Sequence, residues 1–196
     1  FSGTMNWFRV RSDAGHVSPR QFDSRERGAT LVEAAFVYPL LFVALFAIVE
    51  FGLAFKDYLT VSHAARDGAR AGATYGNIQE ADILILEDVH RALSTAGLTD
   101  GIKVRVFDPI NGKGTTYDYD PSDPRCDWRP CPDPAAGALY RVPDWNPLTR
   151  DVTAPFTDRL AVEVTFTHHW ITSFFLDETD FAVVADFQIE PQVFDP

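Results

Sequence analysis

The chain has 196 residues, is 46% hydrophobic and carries a formal charge of −11. An acidic excess of that size argues against nucleic acid as the main partner, because phosphate binding needs the opposite sign. A chain of this length holds one membrane span and one compact domain of roughly 100–140 residues.

Residues 1–28 are polar and rich in Arg and Ser, without an apolar period, so they cannot build a core. Five arginines against Asp13, Asp23 and Glu26 leave +2 ahead of Ala29, and the rest of the chain carries −13. From Ala34 to Val49, sixteen residues pass without a charge. As a helix, Ala34 to Phe55 would be about 33 Å long, enough for the ~30 Å hydrocarbon layer of a bilayer. Basic residues before the span and acidic ones after it predict an N-terminus in the cytoplasm and a C-terminus outside. A cleavable secretory signal would need a small-x-small site just past its apolar run. The tidy sites, Ala69-Arg-Ala71 and Ala71-Gly-Ala73, lie far beyond it, so the span is expected to stay as an anchor.

Glu33 stands at the edge of this span, where an unpartnered carboxylate costs about 2.5–3.5 kcal/mol at depth. A cut between Gly28 and Ala29 would make Glu33 the fifth residue of a new chain and set a fresh ammonium one helical turn away. Between parallel spans, the ammonium of one subunit and Glu33 of its neighbour would offset each other's desolvation. Pro39 removes a backbone bond to residue 35 and should loosen the helix locally. Glu50 lies near the outer end of the span, either reaching the interface or meeting another subunit.

Helical character continues from Lys56 to about Tyr75. Ala64, Gly68 and Gly72 fall four apart, as do Ala65, Ala69 and Ala73, and such a stripe lets another backbone approach closely, from the same domain or a neighbouring subunit. Asn77 with Glu80 resembles a capping box opening a second helix. Its apolar stripe is Ile85, Val89, Ala92 and Ala96 with Leu86 and Leu93, and Gly97 stops it. Period-two alternation predicts strands over Ile102–Val106, Leu160–Phe166 and Phe181–Ile189, with a fourth around Thr115–Tyr119 joined to the first through Asn111-Gly112.

Residues 120–155 form a long proline-rich loop with no clear period. Cys126 and Cys131 enclose Asp-Trp-Arg-Pro; outside the cytoplasm a disulfide is the expected state, free thiols the alternative, and four intervening residues with no further cysteine make a poor zinc site. No phosphate loop, nucleophile elbow or HExxH occurs. His168 and His169 are neighbours on a strand, point to opposite faces and do not chelate together. Asp118, Asp120 and Asp123 lack the glycine and terminal glutamate of a calcium loop and read as turn acids. Trp128, Trp145 and Trp170 read as buried anchors, with adhesive contacts the alternative. No cofactor or metal is expected.

Gly28-Ala-Thr-Leu-Val-Glu33 resembles the processing site of type IV prepilins, differing after the cut, where Ala29 stands in place of the usual Phe. The continuation Glu33-Ala-Ala-Phe-Val-Tyr-Pro39-Leu-Leu, then Ile48-Val-Glu50-Phe-Gly52, Tyr58-Leu and Ala64-Ala-Arg66-Asp-Gly68-Ala-Arg70-Ala-Gly72-Ala, is similar to the N-terminal signature of TadE-like proteins, minor pseudopilins of tight-adherence (Flp) pilus systems. The terminal Phe187-Gln-Ile-Glu190-Pro is similar to their closing strand.

The resemblance implies a non-enzymatic pseudopilin of the inner membrane, cut by a prepilin peptidase. Its partners would be other pilins or pseudopilins, the tight-adherence machinery and the membrane, and it would serve surface adhesion within the fibre or at its assembly platform. The expected fold is α+β: a leader (1–28), a transmembrane helix (29–55), and an extracytoplasmic domain (56–196) in which two helices cover an antiparallel sheet of three or four strands. Two other classes stay open. One is an uncleaved single-pass anchor whose domain binds a ligand through the proline-rich loop. The other is an anchored enzyme, disfavoured because no acid, base and nucleophile set appears.

Overall fold

The computed structural model describes residues 24–172 and 177–191, with side chains from residue 28 onward. The leader therefore falls largely outside the described residues, but its last part does not: helix α1 runs Ser24–Tyr75, starting inside the segment expected to lack structure. Pro39 sits within α1. Helix α2 follows over Ala81–Thr95. Asn77 does not open it; Glu80 is the N-cap residue and makes no side-chain cap bond. Gly97, at φ 78, ends it as expected, with Leu98 N–H returning to the Leu93 carbonyl at 3.0 Å.

Five strands make the sheet: β1 (Lys103–Phe107), β2 (Gly114–Tyr119), β3 (Trp128–Arg129), β4 (Arg159–His169) and β5 (Glu178–Gln188). Their order is β3-β2-β1-β4-β5, and every pairing is antiparallel. The four expected strands are present, and the fifth, β3, comes from the proline-rich loop. Gly112, at φ 73, makes the turn between β1 and β2.

The register explains the core. Tyr117, Val104, Val164 and Val183 lie opposite one another on four successive strands, and all are buried. Thr115, Val106, Val162 and Ala185 form the next row on the same face. Ile85, Leu86, Val89 and Leu93 of α2 are fully buried in the same cluster, as are Val61, Ala64, Ala65 and Ala69 of α1. At about 1.5–3 kcal/mol for each large side chain removed from water, this layer is the main stabilising element. The chain closes on α1 after β5: Ile189 is fully buried, and Glu190 N–H donates to the Ala73 carbonyl at 3.0 Å.

By compactness the chain divides into two units, residues 1–44 and 45–196. The described part of the first is helix alone; the second holds the rest of α1, α2 and the sheet.

Candidate functional site

In the first unit, Gly28, Ala29 and Glu33 are all exposed on α1. A side chain added at Gly28 would meet nothing within 4 Å. Glu33 takes part in no ion pair among the described residues. Around it the helix shows apolar surface on all sides, with Leu31 at 72% exposure and Phe36 at 77%. Among the described residues none buries the apolar window of this helix. A helix hydrophobic all round and uncovered by its own chain needs lipid or other apolar helices about it.

In the second unit α1 changes character. Ala64 is fully buried, and a Cβ on Gly68 would lie 2.4 Å from Val89 Cγ2. One on Gly72 would lie 2.7 Å from Ile85 Cδ1 and 2.8 Å from Leu160 Cδ2. The small-residue stripe thus faces α2 and β4 of its own domain. Arg66, Asp67 and Arg70 occupy the exposed flank.

Three polar contacts escaped the sequence reading because they join distant segments. Glu50 is buried at 6% exposure, its carboxylate accepting from the backbone N–H groups of Ile171, at 3.1 Å, and Thr172. Two turns along α1, Asp57 accepts from Nδ1 of His168 at 2.9 Å. The buried His168 is flanked by Trp170 and Phe181, whereas His169 is exposed, so the pair does not act together. On α2, Asp82 accepts from the Tyr117 hydroxyl at 2.6 Å and forms a buried ion pair with Arg150. The Arg150 guanidinium also lies over the Trp145 ring, 4.5 Å from its centre. Burial, followed by the Asp82 charge and the bond to it, holds the Tyr117 hydroxyl well above the ordinary tyrosine range.

These contacts turn the proline-rich loop into a fixed surface. Cys126 and Cys131 are joined in a disulfide, Trp128 is buried against Tyr119 and His90, and Arg150 ties the far end to α2. Asp133 and Asn146 each accept a backbone N–H two residues on and open short 3-10 turns at Pro134–Leu139 and Pro147–Thr149. Asp120 and Asp123 are turn acids as expected, but Asp118 is not: it lies in β2, opposite Lys103 and Arg129, and pairs with the Lys103 ammonium. Asp120 accepts from Ser122 N–H, and Arg125 grips Asp123 through side chain and backbone, holding that carboxyl at about 2. Among the described residues no cluster of three or more His, Cys, Asp or Glu is placed to hold a metal.

The architecture is α+β, with one helix among the described residues long and apolar enough to cross a membrane, which suggests a single-pass anchor. Residues 28–70 match the family model of TadE-like proteins, so the likeness carried by those residues is to that family. The matched stretch runs from the glycine of the proposed cut, through the uncovered helix, into the half of α1 that packs on the sheet. Searches of the curated proteins and of the solved structures find no match to the chain.

Proposed function

We propose that this protein is a minor pseudopilin of a tight-adherence pilus system, cut by a prepilin peptidase after Gly28 and delivered to pilus assembly by its N-terminal helix. The observation that carries this reading is the state of Glu33: exposed, free of ion pairs among the described residues, and set in an apolar helix that the protein does not cover. At depth in lipid such a carboxylate costs up to about 2.5–3.5 kcal/mol until it finds a partner. The ammonium of Ala29 on a neighbouring subunit would be one, which makes helix association favourable only after the cut. The TadE-like match over residues 28–70, with the cut at its start, supports the same assignment and a role in a pilus rather than in catalysis.

The domain stays on the outer face of the inner membrane, and the helix passes laterally to other pilins or remains in the assembly platform. Intact mass of the chain extracted from native membranes tests the reading. The expected mature protein begins at Ala29; a protein that keeps residues 1–28 would instead be a tethered domain. Glu33→Ala is expected to be cut normally and to leave the cells without fibres. Normal piliation in that strain would remove the charge-pairing argument while leaving the cut site intact.

A further inference from the structure

Where α1 leaves the apolar stretch, the domain reaches back to it through the end of β4. Glu50 lies in the last two turns of the expected span, Ala34 to Phe55. At that level the backbone N–H groups of Ile171 and Thr172 close on the Glu50 carboxylate, and the ring of Trp170 meets that of Phe51 edge-on at 5.7 Å between centres. Ile48, Phe51 and Phe55 are exposed and spaced three and four apart, so they share a face. Ile171 is 71% exposed and lines a shallow cleft with Leu53, Lys56 and Asp57 of α1. The Phe51–Trp170 contact joins this face to the residues that follow β4.

We propose that this end of the domain is a second membrane contact, with Trp170 and Ile171 seated in the outer headgroup region of the bilayer that α1 crosses. The proposal rests on the anchor reading of α1 and extends it to a part of the chain more than a hundred residues away. Three features fit a lipid surface. The two amides and the carboxylate satisfy one another, which is what backbone and charge need at the edge of a bilayer. Trp170 is half buried with Nε1 donating to Thr179 Oγ1 at 2.8 Å, an amphipathic ring of the kind that gathers at membrane interfaces. Lys56 follows Phe55 with its side chain 61% exposed, placed to meet lipid phosphates. The acidic domain gains nothing from anionic lipid, so the contact rests mainly on its apolar residues and is expected in zwitterionic lipid.

The test uses the full chain in phosphatidylcholine vesicles, with a nitroxide placed on single added cysteines; the native pair is already joined. Sites are Val43→Cys in the span, Ile171→Cys at the proposed contact and Phe156→Cys on the exposed surface. Collision with oxygen, which concentrates in lipid, is compared with collision with a water-soluble nickel chelate. The expected oxygen-to-nickel ratio at 171 is several-fold above that at 156 and approaches that at 43. A label at 43 in lipid with 171 matching 156 overturns the proposal alone. A label at 43 in water overturns the anchor reading and the proposal with it.

Discussion

Replacing Asp82 by Ala should unfasten the proline-rich loop from the domain. Asp82 is 2% exposed and Arg150 3%, so neither charge has water to fall back on. Removing one member of a buried ion pair leaves the other uncompensated and typically costs about 3–5 kcal/mol. The Tyr117 hydroxyl loses its acceptor as well, a further ~1 kcal/mol in part already counted in the pair. About 4 kcal/mol is a large share of the 5–15 kcal/mol that holds a typical domain.

The measurement is urea unfolding of the full chain in micelles, followed by near-UV circular dichroism, which reports on Trp128 and Trp145 in the loop. Asp82→Leu combined with Arg150→Met should recover most of the loss, because apolar replacement of both partners of a buried pair is often neutral or stabilising. The mechanism is wrong if Asp82→Ala costs under about 1 kcal/mol, the worth of an exposed pair, or if the double substitution is as unstable as the single one.

Gly68→Ala should destabilise although alanine favours a helix by about 1 kcal/mol. The new Cβ meets Val89, whose branched side chain is stiff in a helix, and overpacking costs about 1–3 kcal/mol. Gly52→Ala, with open space around it, should be neutral or slightly stabilising in the same urea unfolding assay, and equal losses at both sites would contradict the packing account. Glu50→Ala should leave the amides of Ile171 and Thr172 without their acceptor, at about 1–3 kcal/mol, and raise their hydrogen exchange tenfold or more; unchanged exchange would mean the contact does not hold that end of β4. The Asp123 carboxyl, lowered by Arg125, should titrate by carbon NMR near 2. Its folded value is depressed, so its contribution is present above the ordinary range near 4 and lost as pH falls through about 2; a midpoint near 4 would show that the Arg125 clamp does not form in solution.

The sequence disclosed whatever repeats at a fixed spacing. β1, β4 and β5 each set one face against the helices, so period two is visible in Val104 and Val106, in Leu160 to Phe166 and in Phe181 to Ala185. β3 has two residues and therefore no period; its strand character comes from pairing with Asp118 and Tyr119. Asn77 failed as a cap because a local motif is only a competitor for the helix start, and here the chain turns at Glu80 without any side-chain bond. The Asp133-Pro134 and Asn146-Pro147 starts were local signals in plain sight, submerged in a loop read only for its lack of period. Asp82 with Arg150, Asp57 with His168 and Glu50 with Ile171 lie 68, 111 and 121 residues apart, and spacing carries no information about such pairs.

The division of α1 bears on how a subunit of this kind could polymerise. Small residues at four-residue intervals suggest a surface for a neighbouring helix, yet Ala64, Gly68 and Gly72 are already filled by Ile85, Val89, Leu160 and Val162 of the same domain. That stripe cannot serve a second subunit without taking the sheet apart. Glu50 is likewise engaged, by its own β4 end. What is left for association is the apolar helix from Gly28 to Val49 with its one charge at Glu33, and apolar surface alone does not drive helices together in lipid, where the tails are as apolar as leucine. On the proposed reading a specific, switchable attraction comes from Glu33, and the cation it gains is the ammonium that the cut creates at Ala29. Proteolysis would therefore be the step that makes the helix adhesive as well as the step that removes a leader.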